Sequence, residues 1–208
     1  MKRIKSILLI AMLSLFGFSS CADKEDKIDD KDLVINVETL KSFIGKTLPQ
    51  VKESLSGHGY EYLGFEEEEE AHIFEKGNYS FFFAIEDDVV TASGYQGETN
   101  KATAFVDYVS YSAKCYSFAG IGTYEYGSWA YLHSDDYEEF DNYQDYMIYF
   151  NQNMEDIEET AQYWEANEDF FGIFLEDEGS KHTYMMVYID ETMHSYKKFS
   201  KSTLFSRR

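Results

Sequence analysis

Tyr79-Ser80-Phe81-Phe82-Phe83-Ala84-Ile85-Glu86-Asp87-Asp88-Val89-Val90-Thr91-Ala92-Ser93-Gly94-Tyr95 is the stretch whose reading decides the fold. Two runs of aromatic and β-branched residues flank a short acidic turn, which is the pattern of an antiparallel hairpin. Upstream, Tyr60–Glu66 and Glu70–Glu75 have the same make-up, and Lys76-Gly77-Asn78 supplies the next turn. Short turns make neighbouring strands antiparallel. Ahead of these strands, Val37, Leu40 and Ile44 share one helical face, and Gly45 ends it. Thr47 and Gln50 then have capping-box spacing, with Pro49 tolerated in the first turn. Leu48, Val51 and Leu55 form the apolar stripe, and Gly57 stops the helix. The first half therefore reads helix, helix, four strands.

Downstream, Ala102, Phe105, Val106, Val109 and Ala113 predict a helix over Thr99–Cys115. Gly120–His133 and Tyr143–Phe150 read as strands on either side of the acidic link Ser134–Asn142. A further helix is expected with Asn153 as cap, Glu155 and Asp156 at its positive end, and Ile157, Ala161 and Trp164 on one face. Phe170–Glu176 and His182–Ile189 form a hairpin around Asp177-Glu178-Gly179-Ser180. The class is α+β, with helices packed on antiparallel sheet over residues 34–191, divisible into two small units, 34–96 and 97–191. The tail 192–208 holds Lys197, Lys198, Lys201, Arg207 and Arg208 and no acid.

The N-terminus has a separate logic. Lys2, Arg3 and Lys5 precede an apolar run from Ile7 to Phe18, then Ser19, Ser20 and Cys21. The run is too short to span a bilayer, which takes about 20 residues, so residues 1–20 read as a cleaved signal peptide. Phe18-Ser19-Ser20-Cys21 resembles the lipobox of bacterial outer-membrane lipoproteins. That resemblance implies Cys21 as the acylated mature N-terminus, held in the bilayer by its acyl chains. Lys24-Glu25-Asp26 resembles the acidic surface-export signal of some of these lipoproteins, implying an anchored protein of the Gram-negative outer membrane that faces outward, with a periplasm-facing orientation as the alternative. Residues 21–33 form a charged tether.

Gly45-Lys46-Thr47-Leu48-Pro49-Gln50-Val51 is similar to the helix opening of small outer-membrane lipoproteins and β-lactamase-inhibitor-like domains. The resemblance implies a helical segment on an antiparallel sheet, acting through protein contacts.

Without its first 20 residues the chain keeps 15 basic against 39 acidic side chains, a formal charge of −24. Such a body repels nucleic acid and favours a basic partner. Cys115 is the one cysteine left once Cys21 is acylated, so an internal disulfide is excluded. Its helical setting makes it a small core residue.

No nucleophile motif is present, and Gly120-Ile121-Gly122 lacks the third glycine of a dinucleotide loop. No cofactor is expected. His133, Asp135 and Asp136 bring nitrogen and carboxylate donors close together, but without the spacing of a calcium loop, and an acidic surface loop is the preferred reading. The strands carry apolar residues on both faces. That calls for cover on both sides, or else leaves one face as a Tyr/Trp platform, with Tyr124, Tyr126, Trp129 and Tyr131 as the candidate patch. The expected function is non-enzymatic binding of a protein or glycan through an aromatic, acidic sheet face. The alternative is an acidic inhibitor or immunity-type protein that neutralises a basic partner. An enzyme acting on glycans through two carboxylates ranks third.

Overall fold

The computed structural model describes residues 33–67, 70–120, 122–134, 136–166, 169–177 and 182–190. The signal segment 1–20, Cys21, Lys24, Glu25, Asp26, Asp135 and the tail 192–208 lie outside the described residues.

Among the described residues nine strands form one antiparallel sheet: β1 (Glu61–Glu66), β2 (Ala71–Lys76), β3 (Tyr79–Glu86), β4 (Val89–Thr99), β5 (Glu125–Leu132), β6 (Tyr137–Phe140), β7 (Ile157–Ala166), β8 (Asp169–Asp177) and β9 (His182–Asp190). Their order across the sheet is β1-β2-β3-β4-β9-β8-β7-β5-β6. The quoted hairpin is β3–β4, with Glu86 opposite Val89. Asp87 and Asp88 both have positive φ, 48° and 69°, as a two-residue turn of the right twist demands. β4 pairs along its length with β9, so the stretches 34–96 and 97–191 join edge to edge in a single sheet. The fold is α+β with the sheet dominant.

Among the described residues four helices decorate it: α1 (Val37–Lys41), α2 (Leu48–Ser56), α3 (Lys101–Ala119) and α4 (Tyr143–Asn153). Local capping explains where each begins. Asn36 accepts from the Thr39 amide in α1 (2.8 Å), and the Thr47/Gln50 capping box opens α2. Asn100 accepts from the Thr103 amide in α3, and Asn142 from the amides of Gln144 and Asp145 in α4.

Two expectations in the second half are reversed. Tyr143–Phe150 is helical rather than extended, because Tyr146 and Phe150, one turn apart, are both fully buried. The segment Ile157–Ala166 is strand β7 rather than helix, and Asn153 ends α4 instead of capping a new one. The reason is a buried polar cluster. On β7, Thr160, Gln162 and Trp164 point toward the helices, and Thr160 and Gln162 are 1% and 0% exposed. Gln162 Nε2 donates to Ser112 Oγ (2.8 Å) and Tyr108 Oη (3.1 Å) on α3. Tyr108 and Tyr146 share a hydrogen bond (2.7 Å), and Thr160 Oγ1 donates to the Trp129 carbonyl. The strand's alternation is real, but polar residues fill its buried positions, so an apolar count misses it.

The same cluster turns α3. Its buried stripe is Ala104, Phe105, Tyr108, Ser112, Cys115 and Phe118. Ala102, Val106 and Ala113, expected inside, are exposed. Polar satisfaction outweighs burying a valine here, since an orphaned buried hydroxyl costs about 1–3 kcal/mol.

Candidate functional site

The four described helices lie against one face of the sheet. Their buried residues join Phe74, Phe81, Phe83, Tyr95, Trp164, Phe171 and Tyr184 in the main core. On the opposite face, the buried cluster Ala71, Phe82, Ala84, Ala92, Phe170, Val187 and Ile189 comes from strands alone. Among the described residues no helix covers that face.

Cross-strand register lays the face out in rows. The central row runs Ile73, Phe82, Gly94, Val187, Gly172, Tyr163 and Gly127. Two of its glycines are required by close approach: a Cβ on Gly94 would stand 1.8 Å from Phe82 Cζ, and one on Gly127 would stand 2.3 Å from the Tyr163 hydroxyl. Both rings therefore lie flat on the sheet across their neighbours, which widens the apolar floor. The adjoining row is Gln96, Met185, Phe174, Ala161 and Trp129. On the other side run Ala84, Ala92, Ile189 and Phe170, continuing into Glu165 and Glu125.

Carboxylates ring this floor. Glu98, Glu176 and Glu159 occupy the outer row, Glu165 and Glu125 the far corner, Glu75 and Glu139 the flanks. Among the described strand residues of this face there is no Lys or Arg; Lys76 points the other way, toward the Tyr60 ring. An apolar centre inside a polar rim is the anatomy of a protein-binding surface. A uniform negative sign attracts positively charged molecules and repels negatively charged ones.

The sequence-derived patch divides between the two faces. Trp129 and Tyr131 lie on the face opposite the described helices, with Trp129 stacked near Tyr137 at 6.2 Å between centroids. Tyr126 and Tyr124 lie beneath the helices. Tyr126 packs against Trp164 at 5.2 Å, and its hydroxyl donates to Gln162 Oε1. The Tyr124 hydroxyl donates to Asp169 Oδ2 (3.1 Å). Burial, with the Asp169 charge beside it, pushes the Tyr124 hydroxyl up to about 12. The sequence shows apolar residues on both faces of the strands, but does not single out the floor of Phe82, Tyr163, Phe174 and Met185 as the patch. Its signal was the alternation of β3, β8 and β9, which cannot say which of two apolar faces the helices will take.

His133 is not joined to Asp136. Its ring stands 3.6 Å from both Glu158 and Asp177, whereas Asp136 accepts from Ser134 Oγ at 2.9 Å. Among the described residues no three His, Cys, Asp or Glu side chains gather to hold a metal. Cys115 is fully buried, and burial pushes its thiol well up, so it is core. A cavity of about 410 Å³ opens beside the start of α2, lined by Thr47, Leu48, Pro49, His72, Ile85 and Asp88. Its histidine is hydrogen-bonded to Tyr62 (2.8 Å), and burial, with Lys52 nearby, holds its pKa down. No helix among the described residues is long and apolar enough to cross a membrane.

No protein-family model, curated protein or solved structure matches the chain.

Proposed function

We propose that the chain is a lipid-anchored binding protein of the bacterial outer membrane, held by acyl chains on Cys21, that captures a basic protein on the sheet face opposite the described helices. The observation that carries the binding half is that face: a floor of Phe82, Tyr163, Phe174 and Met185 ringed by glutamates. Apolar burial supplies the affinity, and the rim steers a cationic partner into register. The reading joins the two leading expectations, since neutralising a basic protein and binding through an acidic sheet face need the same surface. The anchor half rests on the Lys2-to-Cys21 pattern. A surface-facing orientation follows from Lys24-Glu25-Asp26.

The test is capture from envelope extract by the intact chain and by two variants, Phe174→Glu and Glu98→Lys/Glu176→Lys, each checked for an unchanged thermal melt. Both variants should lose capture, and raised salt should weaken wild-type capture as screening sets in. Capture by Phe174→Glu at the wild-type level would sink the reading. Lipid-precursor labelling that persists in Cys21→Ala would sink the anchor.

A further inference from the structure

α3 carries a second stripe that the core does not use. Ala102, Val106, Val109, Ala113 and Tyr116 are spaced 4, 3, 4 and 3 residues apart, which is the repeat of a coiled-coil seam. At about 100° per residue they fall within an arc of about 80°, turned roughly 130° from the stripe that packs on the sheet. Solvent meets them. Val106 is 63% and Tyr116 43% exposed, Ala102 and Ala113 are exposed, and Val109 is half-buried. α4 widens the strip. Tyr116 and Tyr143 stack at 4.1 Å between centroids, Gln144 Nε2 donates to the Tyr116 hydroxyl (3.0 Å), and Ile148, one turn on from Gln144, is 56% exposed. Three of the seven exposed large apolar side chains among the described residues therefore gather here, as a patch rather than as scattered exposure.

The strip is also free of charge, in a chain whose formal charge is −21. The three charged residues of α3 turn away from it. Lys101 binds Asp177 (3.1 Å), Lys114 donates to the Ile35 carbonyl (2.9 Å), and Asp107 stands beside Tyr184. A basic protein finds no counter-charge on the strip, which sets it apart from the glutamate-rimmed sheet face. Two copies of the chain repel one another through their acidic surfaces, and a neutral patch is where they meet at least cost. The seam is self-complementary as well. About a two-fold axis beside Tyr111, one α3 runs antiparallel to the other. Val106 then faces Tyr116 of the second copy, and Val109 faces Ala113. A parallel seam sets Tyr116 on Tyr116 and alanine on alanine, so that one layer is crowded and others are thin.

We propose that the chain forms a weak antiparallel dimer through this strip of α3, flanked by α4. α3 has 19 residues and is about 28 Å long. With the shorter α4 beside it, the footprint is roughly 450 Å² per copy and about 900 Å² in all, at the low end for a specific interface. The association is accordingly concentration-dependent. The strip faces away from the sheet, so the contact leaves the opposite sheet face of each copy outside it. The inference uses a different surface from the proposed capture face and stands without it. Where that face captures a partner, the dimer presents two such faces and gains from bivalence.

The test is sedimentation velocity of the intact chain over a range of concentrations, at low and high salt. Expected is a monomer–dimer equilibrium that strengthens severalfold with salt, because screening relieves the repulsion between two acidic bodies. Capture of a basic protein weakens with salt, so the two readings separate. Val106→Lys, at an exposed site, should weaken the dimer at least tenfold with an unchanged thermal melt. It leaves the N-terminus as it was, so association through that end would persist in it. Val106→Lys/Tyr116→Glu should recover most of the loss, because the antiparallel register sets the new lysine against the new glutamate, whereas a parallel one sets like charges together. Val109→Lys/Ala113→Glu, against Val109→Lys alone, repeats the comparison one layer inward if Tyr116→Glu lowers the melt. A chain that stays monomeric throughout, open-ended association beyond the dimer, or wild-type association by Val106→Lys overturns the inference. So do double variants that remain as weak as the single ones.

Discussion

Replacing Gln162 by Leu tests the physical reason for the fold's second half. Gln162 is fully buried on β7 and its amide serves three hydroxyls: it donates to Tyr108 and Ser112 and accepts from Tyr126. Leu has nearly the same volume, so no cavity term enters. Tyr108 keeps Tyr146 as a partner at 2.7 Å. Ser112 retains only long contacts, 3.4 Å to the Tyr143 hydroxyl and 3.9 Å to the Met147 sulfur. Tyr126 loses its bond to the amide. Two hydroxyls left poorly satisfied at about 1–3 kcal/mol each, less the gain from burying Leu, give a net loss of about 2–4 kcal/mol. For a domain of this size that lowers Tm by roughly 5–15 °C. Urea unfolding followed by near-UV circular dichroism reads it directly. Adding Ser112→Ala should recover about 1 kcal/mol, because the orphaned partner is removed as well. A Gln162→Leu protein within about 0.5 kcal/mol of wild type would refute the claim that polar satisfaction, rather than apolar burial, sets this layer.

Three further outcomes follow from single sites. Burial alone would raise the Asp169 carboxyl, but hydrogen bonds from Lys41, Tyr188 and Tyr124 outweigh it and hold its pKa below the usual carboxylate value. A depressed folded pKa gives stability that is complete above the unfolded value of about 3.9 and is lost as pH falls through the lower folded value. Asp169→Asn should therefore flatten the acid limb of the stability curve below about pH 4. An acid limb identical to wild type would contradict this. Cys115 should resist a thiol reagent in the native protein and react at once in urea; rapid native labelling would mean the α3 core opens readily. Gly94→Ala drives a methyl group into the Phe82 ring, 1.8 Å from Cζ, and should cost about 1–3 kcal/mol. Phe82→Leu in the same chain should restore part of that stability, and no cost at all would show the ring is not fixed across Gly94.

The readable parts of the chain were those decided locally. The β3–β4 turn followed from Asp87-Asp88 between two β-rich runs, and α2 from Thr47, Pro49 and Gln50. The β8–β9 hairpin was equally plain. α4 carried a start signal in Asn142 that the apolar pattern of Tyr143–Phe150 obscured. In the candidate site, Trp129 and Tyr131 were found from composition, but Tyr124 and Tyr126 belong to the core, because alternation along β5 sends successive residues to opposite faces.

By itself, then, the sequence determined the class, the first six elements, the last hairpin and the acidic character. These rest on turn geometry, caps and charge count, which are local or summed along the chain. Only the tertiary structure decided that β4 meets β9 in one sheet, that Thr160 and Gln162 point inward, and that the helices share a single face. Those outcomes depend on partners far apart in the chain. A buried glutamine reads as exposed until Tyr108 and Ser112 are seen beside it, and an apolar face reads as core until the helices have taken the other side.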